Sequence, residues 1–437
     1  MITWRAAAAL IAGAVLVAFL PSPWLFVTAV VAAVLVLSIV DFAIAGALRD
    51  IRLARDGDRQ VRLGEAATVT LTVGNDGVRP VRLEVRDAWV PSAGARGPYS
   101  HRLLLAPGAG IELATQLRPT RRGDRPAVRV SLRSHGPLGL AYRQHTVRRA
   151  DRVTPQWTLR VLPPFTSRRY LPEKLARLRI IDGSTVIRGR GQGTEFDTLR
   201  EYVLGDDVRS IDWRASARRS DVVVRTWRPE RDRRVLCVLD TGRTSAARIG
   251  DEPRLDHAID AALLLSTLAS RAGDRVDLLA IDTAVRASVD SGTGRTLLPR
   301  LANAMAPLQP ALVETDFGLV AGEILRKERK RALVVLFTAL EPGAFGEGLL
   351  PVLTQLTARH KVLVAAVRDP AVAELTAVRG DATGIYTAAA AYRALEERDR
   401  IAGALRRGQV EVVDAPADLF ASRVADAYLT LKATGRL

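Results

Sequence analysis

The chain has 437 residues, of which 48% are hydrophobic and 25% charged. That composition excludes a wholly disordered chain and suits about two to three domains. The formal net charge is +17, yet the arginines are spread over the whole chain and aromatics make up only 5%, so a basic groove lined with stacking rings is not expected.

Residues 1–48 read as a transmembrane helical hairpin. Ala6 to Leu20 carries no charge, Pro21 to Trp24 (PSPW) interrupts it, and Leu25 to Val40 is apolar again, running on through Asp41 to Leu48. A spanning helix needs about 20 apolar residues, and in lipid every backbone amide must bond within its own segment. A signal peptide is the rival reading, but no small-x-small cleavage pattern stands near Leu20 and a second apolar run follows at once. Arg5 precedes the first run, and Arg49, Arg52, Arg55 and Arg59 follow the second. Positive flanks prefer the cytoplasm, and abundant Arg and Ala with scarce Lys suit GC-rich bacterial coding, so the expectation is a two-span protein of the bacterial inner membrane with both ends, and the soluble part, cytoplasmic.

Residues 49–165 change to period two. In ATVTLTVGNDG, Val69, Leu71 and Val73 alternate with threonine before a turn at Asn75-Asp76-Gly77; VRLEVRDAWV, IELATQLRP, AVRVSLRSHG and TLRVLPP continue the theme. Short alternating strands between Gly, Pro and Asn turns predict an antiparallel β-sandwich. RGD at Arg122 to Asp124 reads as a charged turn. HGPLGL at His135 to Leu140 reads as a Gly-Pro turn with apolar flanks.

Residues 233–437 alternate strands and helices. RRVLCVLD (Arg233 to Asp240), RVDLLAID, VRASVD, RALVVLFT (Arg331 to Thr338), KVLVAAVRD and VEVVDA read as strands, with helices between most of them. Continuous apolar strands predict a mostly parallel sheet covered on both faces, with ligand sites at the carboxyl ends of its strands, where Asp240 and Thr338 stand. The single cysteine, Cys237, excludes an intrachain disulfide and reads as a buried structural thiol. Five histidines lack any zinc spacing. SGTGRT (Ser291 to Thr296) is not a phosphate loop, and no GxSxG elbow is present.

Residues 166–232 hold a charged segment rich in Gly, Glu, Arg and Trp, GQGTEFDTLREYVLGDDVRSIDWRASARRSDVVVR (Gly191 to Arg225) at its centre. Its pattern is carried by Gly191, Gly193, Glu195, Phe196, Leu199, Arg200, Glu201, Tyr202, Gly205, Asp206, Asp207, Arg209, Ile211, Asp212, Trp213, Ser216, Ala217, Arg218, Val224, Arg225 and Glu230. These residues resemble the bacterial family catalogued as domain of unknown function 58, and the hairpin and β domain before them look like that family too. The resemblance implies that the C-terminal half is a von Willebrand A-like α/β domain of Rossmann type. It also implies association with MoxR-type AAA+ ATPases, often beside transglutaminase-like membrane proteins.

The residues themselves suit a non-enzymatic role. The segment has no His, no Cys and no evident activated nucleophile, and its arginines would keep Glu195, Glu201, Asp206, Asp207 and Asp212 ionised and paired. Trp213 is expected to be largely buried and the arginines paired with carboxylates. The leading expectation is a scaffold or adaptor that binds the ATPase or its client in envelope protein assembly or maturation. The alternatives are a carboxylate-dependent hydrolase using the Glu195 to Asp212 region and, from net charge alone, a nucleic-acid-binding membrane protein; no nucleic acid is expected as partner.

The resemblance also raises a metal question. A von Willebrand A domain usually carries an Asp-x-Ser-x-Ser loop, a Thr on a second loop and an Asp on a third. Here the first loop reads Asp240-Thr241-Gly242-Arg243-Thr244 followed by Ser245, the second offers Thr315, and the third has Ala339 in FTALE. Asp240, Thr244 and Thr315 are the remaining candidates, with Glu341 as a possible substitute. No cofactor is expected, and Mg²⁺, which needs hard oxygen ligands, is not expected to be held.

Overall fold

The structure is a computed structural model and describes residues 3–17, 23–147, 155–188, 195–203, 208–218, 221–228, 233–290 and 296–437. The chain divides into two compact units, Met1–Pro164 and Phe165–Leu437.

The first unit opens with α1 (Trp4–Val17) and α2 (Pro23–Ile44). Among the described residues one helix, α2, is long and apolar enough to cross a membrane; α1 is a shorter apolar helix. At about 1.5 Å per residue α2 reaches about 33 Å, the thickness of a hydrocarbon core, whereas α1 reaches about 21 Å. Of the two spans expected, one therefore has the full length. Trp24, Leu25, Val36 and Ile39 of α2 are exposed, so the chain itself does not cover this apolar surface. The two helices pack together, and a Cβ at Gly13 would lie 2.4 Å from Val30 Cγ1, which only glycine avoids.

Among the described residues nine strands follow: β1 (Ile51–Gly57), β2 (Gln60–Arg62), β3 (Ala67–Asn75), β4 (Val81–Trp89), β5 (His101–Leu105), β6 (Gly110–Leu117), β7 (Gly123–His135), β8 (Tyr142–Val147) and β9 (Thr158–Leu162). One sheet has the order β1-β3-β6 and a second β2-β9-β7-β4-β5, with β8 also on β7. Apart from the parallel pair β2 and β9, neighbours run antiparallel. The alternation in the sequence places Leu71, Val73 and Leu113 of the first sheet in one buried cluster with Leu83, Val85, Val130 and Leu132 of the second. Burial of that kind contributes about 25 cal/mol per Å² of apolar surface removed from water.

A carboxylate joins α2 to this β unit. Asp41 is fully buried near the end of α2 and accepts the backbone N–H groups of Leu138, Leu140 and Ala141 at 2.7, 2.7 and 2.9 Å. The HGPLGL turn is thus more than a turn with apolar flanks: it is the cradle of a buried charge.

In the second unit, α3 (Leu171–Arg188) leads to β10 (Glu195–Glu201), the short α4 (Trp213–Ser216) and β11 (Val223–Arg228). Ser167 N–H reaches Asp260 Oδ2 at 3.0 Å, and Lys174 pairs with Asp426 at 2.8 Å, which ties residues 166–188 to this unit. Then come β12 (Arg234–Asp240), the two-residue pair β13 (Arg248–Ile249) and β14 (Glu252–Pro253), α5 (Arg254–Arg271), β15 (Arg275–Ile281), β16 (Val285–Val289), α6 (Leu297–Met305), α7 (Phe317–Lys327) and β17 (Leu333–Phe337). The chain ends with α8 (Pro342–Ala344), α9 (Leu350–Thr357), β18 (Lys361–Arg368), α10 (Pro370–Leu375), α11 (Ala382–Arg407), β19 (Glu411–Pro416) and α12 (Ala417–Ala433).

The main sheet has the order β16-β15-β12-β17-β18-β19, parallel throughout except for the edge strand β16. One face packs Leu236, Val238, Leu279, Val334 and Val364 against α7, α9 and α11. On the other, Cys237 Sγ lies 3.8 Å from Ser266 Oγ of α5, and Phe337 meets Phe420 of α12 edge-on. Burial pushes the Cys237 thiol up to about 12, which suits an inert core residue. The chain steps from β12 to one side, at β15, and later returns to the other side, at β17. That reversal makes the carboxyl end of β12 the switch point of the sheet.

The Asp41 cradle gives a direct test. Asp41→Asn replaces two acceptor oxygens by one and aims an NH₂ group at backbone donors, at a cost of about 1–3 kcal/mol for the amides left unpaired. Hydrogen exchange should speed up at Leu138, Leu140 and Ala141 and stay unchanged at Leu71 and Val73; unchanged exchange at all five would refute the assignment.

Candidate functional site

Three neighbouring strands deliver polar residues to the switch point. Asp240 is the last residue of β12, Asp282 follows β15 directly, and Thr338 follows β17 directly. All three are buried. Asp240 Oδ1 accepts the Gly242 N–H at 2.8 Å and the Thr315 hydroxyl at 2.5 Å. Its Oδ2 accepts the hydroxyls of Thr338 at 2.6 Å and Thr244 at 3.3 Å. Four donors thus fill the roughly four lone-pair sites of one carboxylate. The Ser245 hydroxyl donates to the Asp240 carbonyl at 2.6 Å, and Arg243 N–H bonds Val313 O at 2.8 Å. The 241–245 loop is thereby held to the loop that carries Thr315.

Asp282 is held in the same way. Its Oδ2 accepts the Thr241 hydroxyl at 2.9 Å, its Oδ1 the Thr283 N–H at 2.6 Å, and Arg286 Nε reaches both oxygens. Burial works against its charge, but Arg286, Thr241 and the backbone N–H groups of Ala284 and Thr283 outweigh burial and hold the carboxyl below the usual carboxylate range. Arg243 pairs with Glu314 at 2.5 Å, and Arg254 pairs with Glu341, around the rim.

The residues do not fit a Mg²⁺ site of the adhesion type. The Asp240 carboxylate is saturated by protein donors. Ala339 is buried and brings no carboxylate. Glu341, the expected substitute, is engaged by Arg254. The lost hydroxyl at Gly242 is not simply a gap, because a Cβ there would lie 2.1 Å from Thr315 Oγ1. Thr315 fills the space that a serine at 242 would need. Among the described residues no group of three or more His, Cys, Asp or Glu side chains is placed to hold a metal.

The signature segment forms a hairpin. β10 and β11 run antiparallel with Leu199 opposite Arg225, Arg200 opposite Val224 and Glu201 opposite Val223, and a bulge near Phe196. Tyr202 N–H extends the pairing to Val222 O at 2.9 Å. Asp212 caps α4, accepting the N–H groups of Arg214 and Ala215 at 3.1 and 3.0 Å. Ser216 Oγ donates to Asp212 O at 2.8 Å and accepts the Val223 N–H at 2.9 Å, which ties α4 back to β11. Asp212 and Ser216 are therefore architectural: a helix cap and a bracket.

Trp213 departs from expectation. It is 65% exposed, not buried, and Val208 and Val203 beside it in sequence are 60% and 54% exposed. The segment around it has too few aliphatic residues to enclose an indole. Arg209, Arg214 and Arg218 are also exposed, and Arg200 is half-buried with Nη1 on the Glu201 carbonyl at 3.2 Å. Glu195, Phe196 and Arg225 lie on the hairpin strands. Gly191, Gly193, Gly205, Asp206, Asp207 and Glu230 lie outside the described residues, and with them part of the expected lattice of ion pairs.

The sequence reading did not assign Thr338, Thr241 or Asp282 to the cluster. Their signal was position: each stands at or just past the carboxyl end of a predicted parallel strand, or in the loop after one.

Residues 198–409 match the family described as protein of unknown function DUF58. An uncharacterised protein of Mycobacterium tuberculosis and one of Mycobacterium bovis are each 30% identical over 194 residues, which cover 42% of this chain and 58% of the relative. Among solved structures, the alpha-2-macroglobulin of Escherichia coli is 17% identical over 27% of this chain and 17% of its own, with a TM-score of 0.22. The CARDB domain of a Pyrococcus furiosus protein is 16% identical over 26% of this chain and 92% of its own, with a TM-score of 0.19. Likenesses at those scores carry no argument about fold or activity.

Two outcomes follow from the cluster. Gly242→Ser, which writes the missing hydroxyl back, should lower the melting temperature and leave it insensitive to Mg²⁺ and to EDTA; a variant stabilised by Mg²⁺ would contradict the fit just described. Asp282 favours its charged form in the fold, so its stabilisation is complete above the ordinary carboxylate pKa and is lost as pH falls through its lowered value. Arg286→Gln should raise that value and move acid unfolding to higher pH, read by circular dichroism; an unmoved acid midpoint would contradict it.

Proposed function

We propose that this chain, whose residues 198–409 match a family of unknown function, is a membrane-anchored adaptor that docks a protein partner through the corner of the signature hairpin around Trp213. In this reading α1 and α2 both enter the bilayer, α1 completed by its flanking residues, and Arg5 and Arg49 lie on the cytoplasmic side. The β unit is a β-sandwich and the second unit is a von Willebrand A-like domain whose cluster at Asp240 fixes the carboxyl edge of its sheet without a metal. The partner is a MoxR-type AAA+ ATPase or its client in envelope protein assembly or maturation, with a transglutaminase-like membrane protein as a further associate. The chain itself carries out no catalysis.

The observation that carries this reading is the exposed Trp213 among Val208, Arg209 and Arg214. Tryptophan and arginine are the residues most enriched where binding energy concentrates, because one side chain offers a large rigid apolar area and the other a fork of donors. An indole left in water by its own fold is a surface that a partner would cover. Asp212 supports the same view, since its carboxylate serves as a helix cap.

A second reading is a carboxylate-dependent hydrolase using the Glu195 to Asp212 region, and the exposed side chain of Glu201 is the observation that favours it. Glu201 is the exposed carboxylate of the described part. Hydrolysis of an ester or peptide by the purified chain, abolished by Glu201→Gln, would select this reading.

The test of the docking reading is affinity purification of the full chain from native membranes, with and without ATP. An AAA+ ATPase should copurify with the unaltered chain and be lost from Trp213→Ala. Because the side chain is exposed, that substitution should change stability by no more than about 0.5 kcal/mol. A Trp213→Ala chain that keeps its partner, or that unfolds, would contradict the proposal.

A further inference from the structure

The end of the first unit where α1 begins and α2 finishes gathers cationic groups around one loop. Thr3 N–H bonds Leu140 O at 2.9 Å and the Thr3 hydroxyl bonds Gly139 O at 2.6 Å. With Asp41 on the other side, the loop 136–141 is clamped between the two helices. Its tip is left out: Pro137 is exposed and Leu138 is 50% exposed.

Among the described residues, the guanidinium groups of Arg82 and Arg5 reach this loop and that of Arg143 lies against the end of α2. Arg82 Nη1 donates to Pro137 O at 2.9 Å. Arg143 Nε donates to Phe42 O at 3.0 Å and lies over the Phe42 ring, 4.9 Å from its centre. Arg5 Nη1 lies 3.0 Å from where a side chain at Gly139 would begin. Among the described residues none of the three is in an ion pair; the bonds of Arg82 and Arg143 run to neutral backbone carbonyls. The charge of Asp41 is fully buried and spent on three amides inside the loop. Exposed Trp4 stands at the same end, at the start of α1.

We propose that Arg5, Arg82 and Arg143 around the loop 136–141 form a binding site for the phosphate of an anionic phospholipid headgroup. The inference rests on the membrane reading of α1 and α2. If those helices lie in the bilayer, their shared end is at the depth of the lipid phosphates. Guanidinium forks match phosphate oxygens in charge and geometry, and basic groups are drawn to an anionic lipid surface. Leu138 enters the acyl boundary beneath the headgroups, and Trp4 takes the interfacial position that indoles favour. The clamp at Asp41 fixes the loop that Arg82 and Arg5 reach before lipid binds, which lowers the ordering cost of the contact.

The experiment uses the full chain in neutral detergent. Thermal unfolding is followed with added phosphatidylglycerol, with phosphatidylcholine and with soluble glycerol phosphate. Phosphatidylglycerol alone should raise the melting temperature. The double variant Arg5→Gln, Arg82→Gln alters two exposed side chains, so it should melt like the unaltered chain in phosphatidylcholine and lose the phosphatidylglycerol shift. Leu138→Glu should weaken the shift through repulsion. An equal shift with phosphatidylcholine, a shift kept by the double variant, or a shift reproduced by glycerol phosphate would overturn the headgroup site. Alkaline extraction of native membranes separates the two levels. A chain released in soluble form overturns the membrane reading and the site with it; a chain retained in the membrane but indifferent to phosphatidylglycerol overturns the site alone.

Discussion

One carboxylate holds the carboxyl edge of the second unit together. Asp240 ends the central strand, and its four donors come from three separate stretches of chain: Gly242 and Thr244 just after it, Thr315 before α7, and Thr338 at the end of β17. Hydrogen bonds to a charged acceptor contribute about twice as much as neutral ones, and leaving a buried charge unpaired is costly. Loops that would otherwise move independently above a parallel sheet are therefore fixed to a common point. The second carboxylate, Asp282, is tied to the first loop through Thr241. The same arrangement departs from an adhesion-type Mg²⁺ site: the Asp240 oxygens are engaged by protein donors, and Thr315 fills the space a side chain at 242 would need.

Charge buried on a hydrogen-bonded loop recurs in the first unit. Asp41 at the end of an apolar helix is satisfied by three amides of a turn about a hundred residues later in the chain, as the separations of 97, 99 and 100 residues state. In both units a single acid converts a flexible loop into a rigid support. The first support presents the exposed Leu138 between the start of α1 and the end of α2. The second underlies the edge of a sheet. Binding surfaces placed on rigid supports lose less entropy on association than mobile ones.

Legibility in the sequence follows the range of the interaction. Continuous apolar runs such as VLCVLD and ALVVLF announced buried parallel strands, and the strict alternation of Val69, Leu71 and Val73 announced a half-buried antiparallel one, because those patterns are local. The carboxyl edge was legible as a place, through Asp240 and Thr338, but not as a set of bonds: the hydroxyl of Thr338 finds its acceptor 98 residues away. Trp213 failed for another reason. A large aromatic suggests a core, but burial needs apolar neighbours, and the stretch from Glu195 to Arg218 supplies mainly charges and exposed valines. The cap that Asp212 forms was legible as well, because its position directly before Trp213-Arg214-Ala215 is a helix-cap signal.

The central claim is that the exposed corner of the signature hairpin is a protein-docking surface. Photo-cross-linking inside living cells tests it most directly, with a benzophenone side chain at position 213 and, as a control, at Tyr386, which is also exposed. The account predicts a discrete adduct with an AAA+ ATPase or a membrane client from position 213 and none from position 386. No adduct from 213, or the same adducts from both positions, would contradict it.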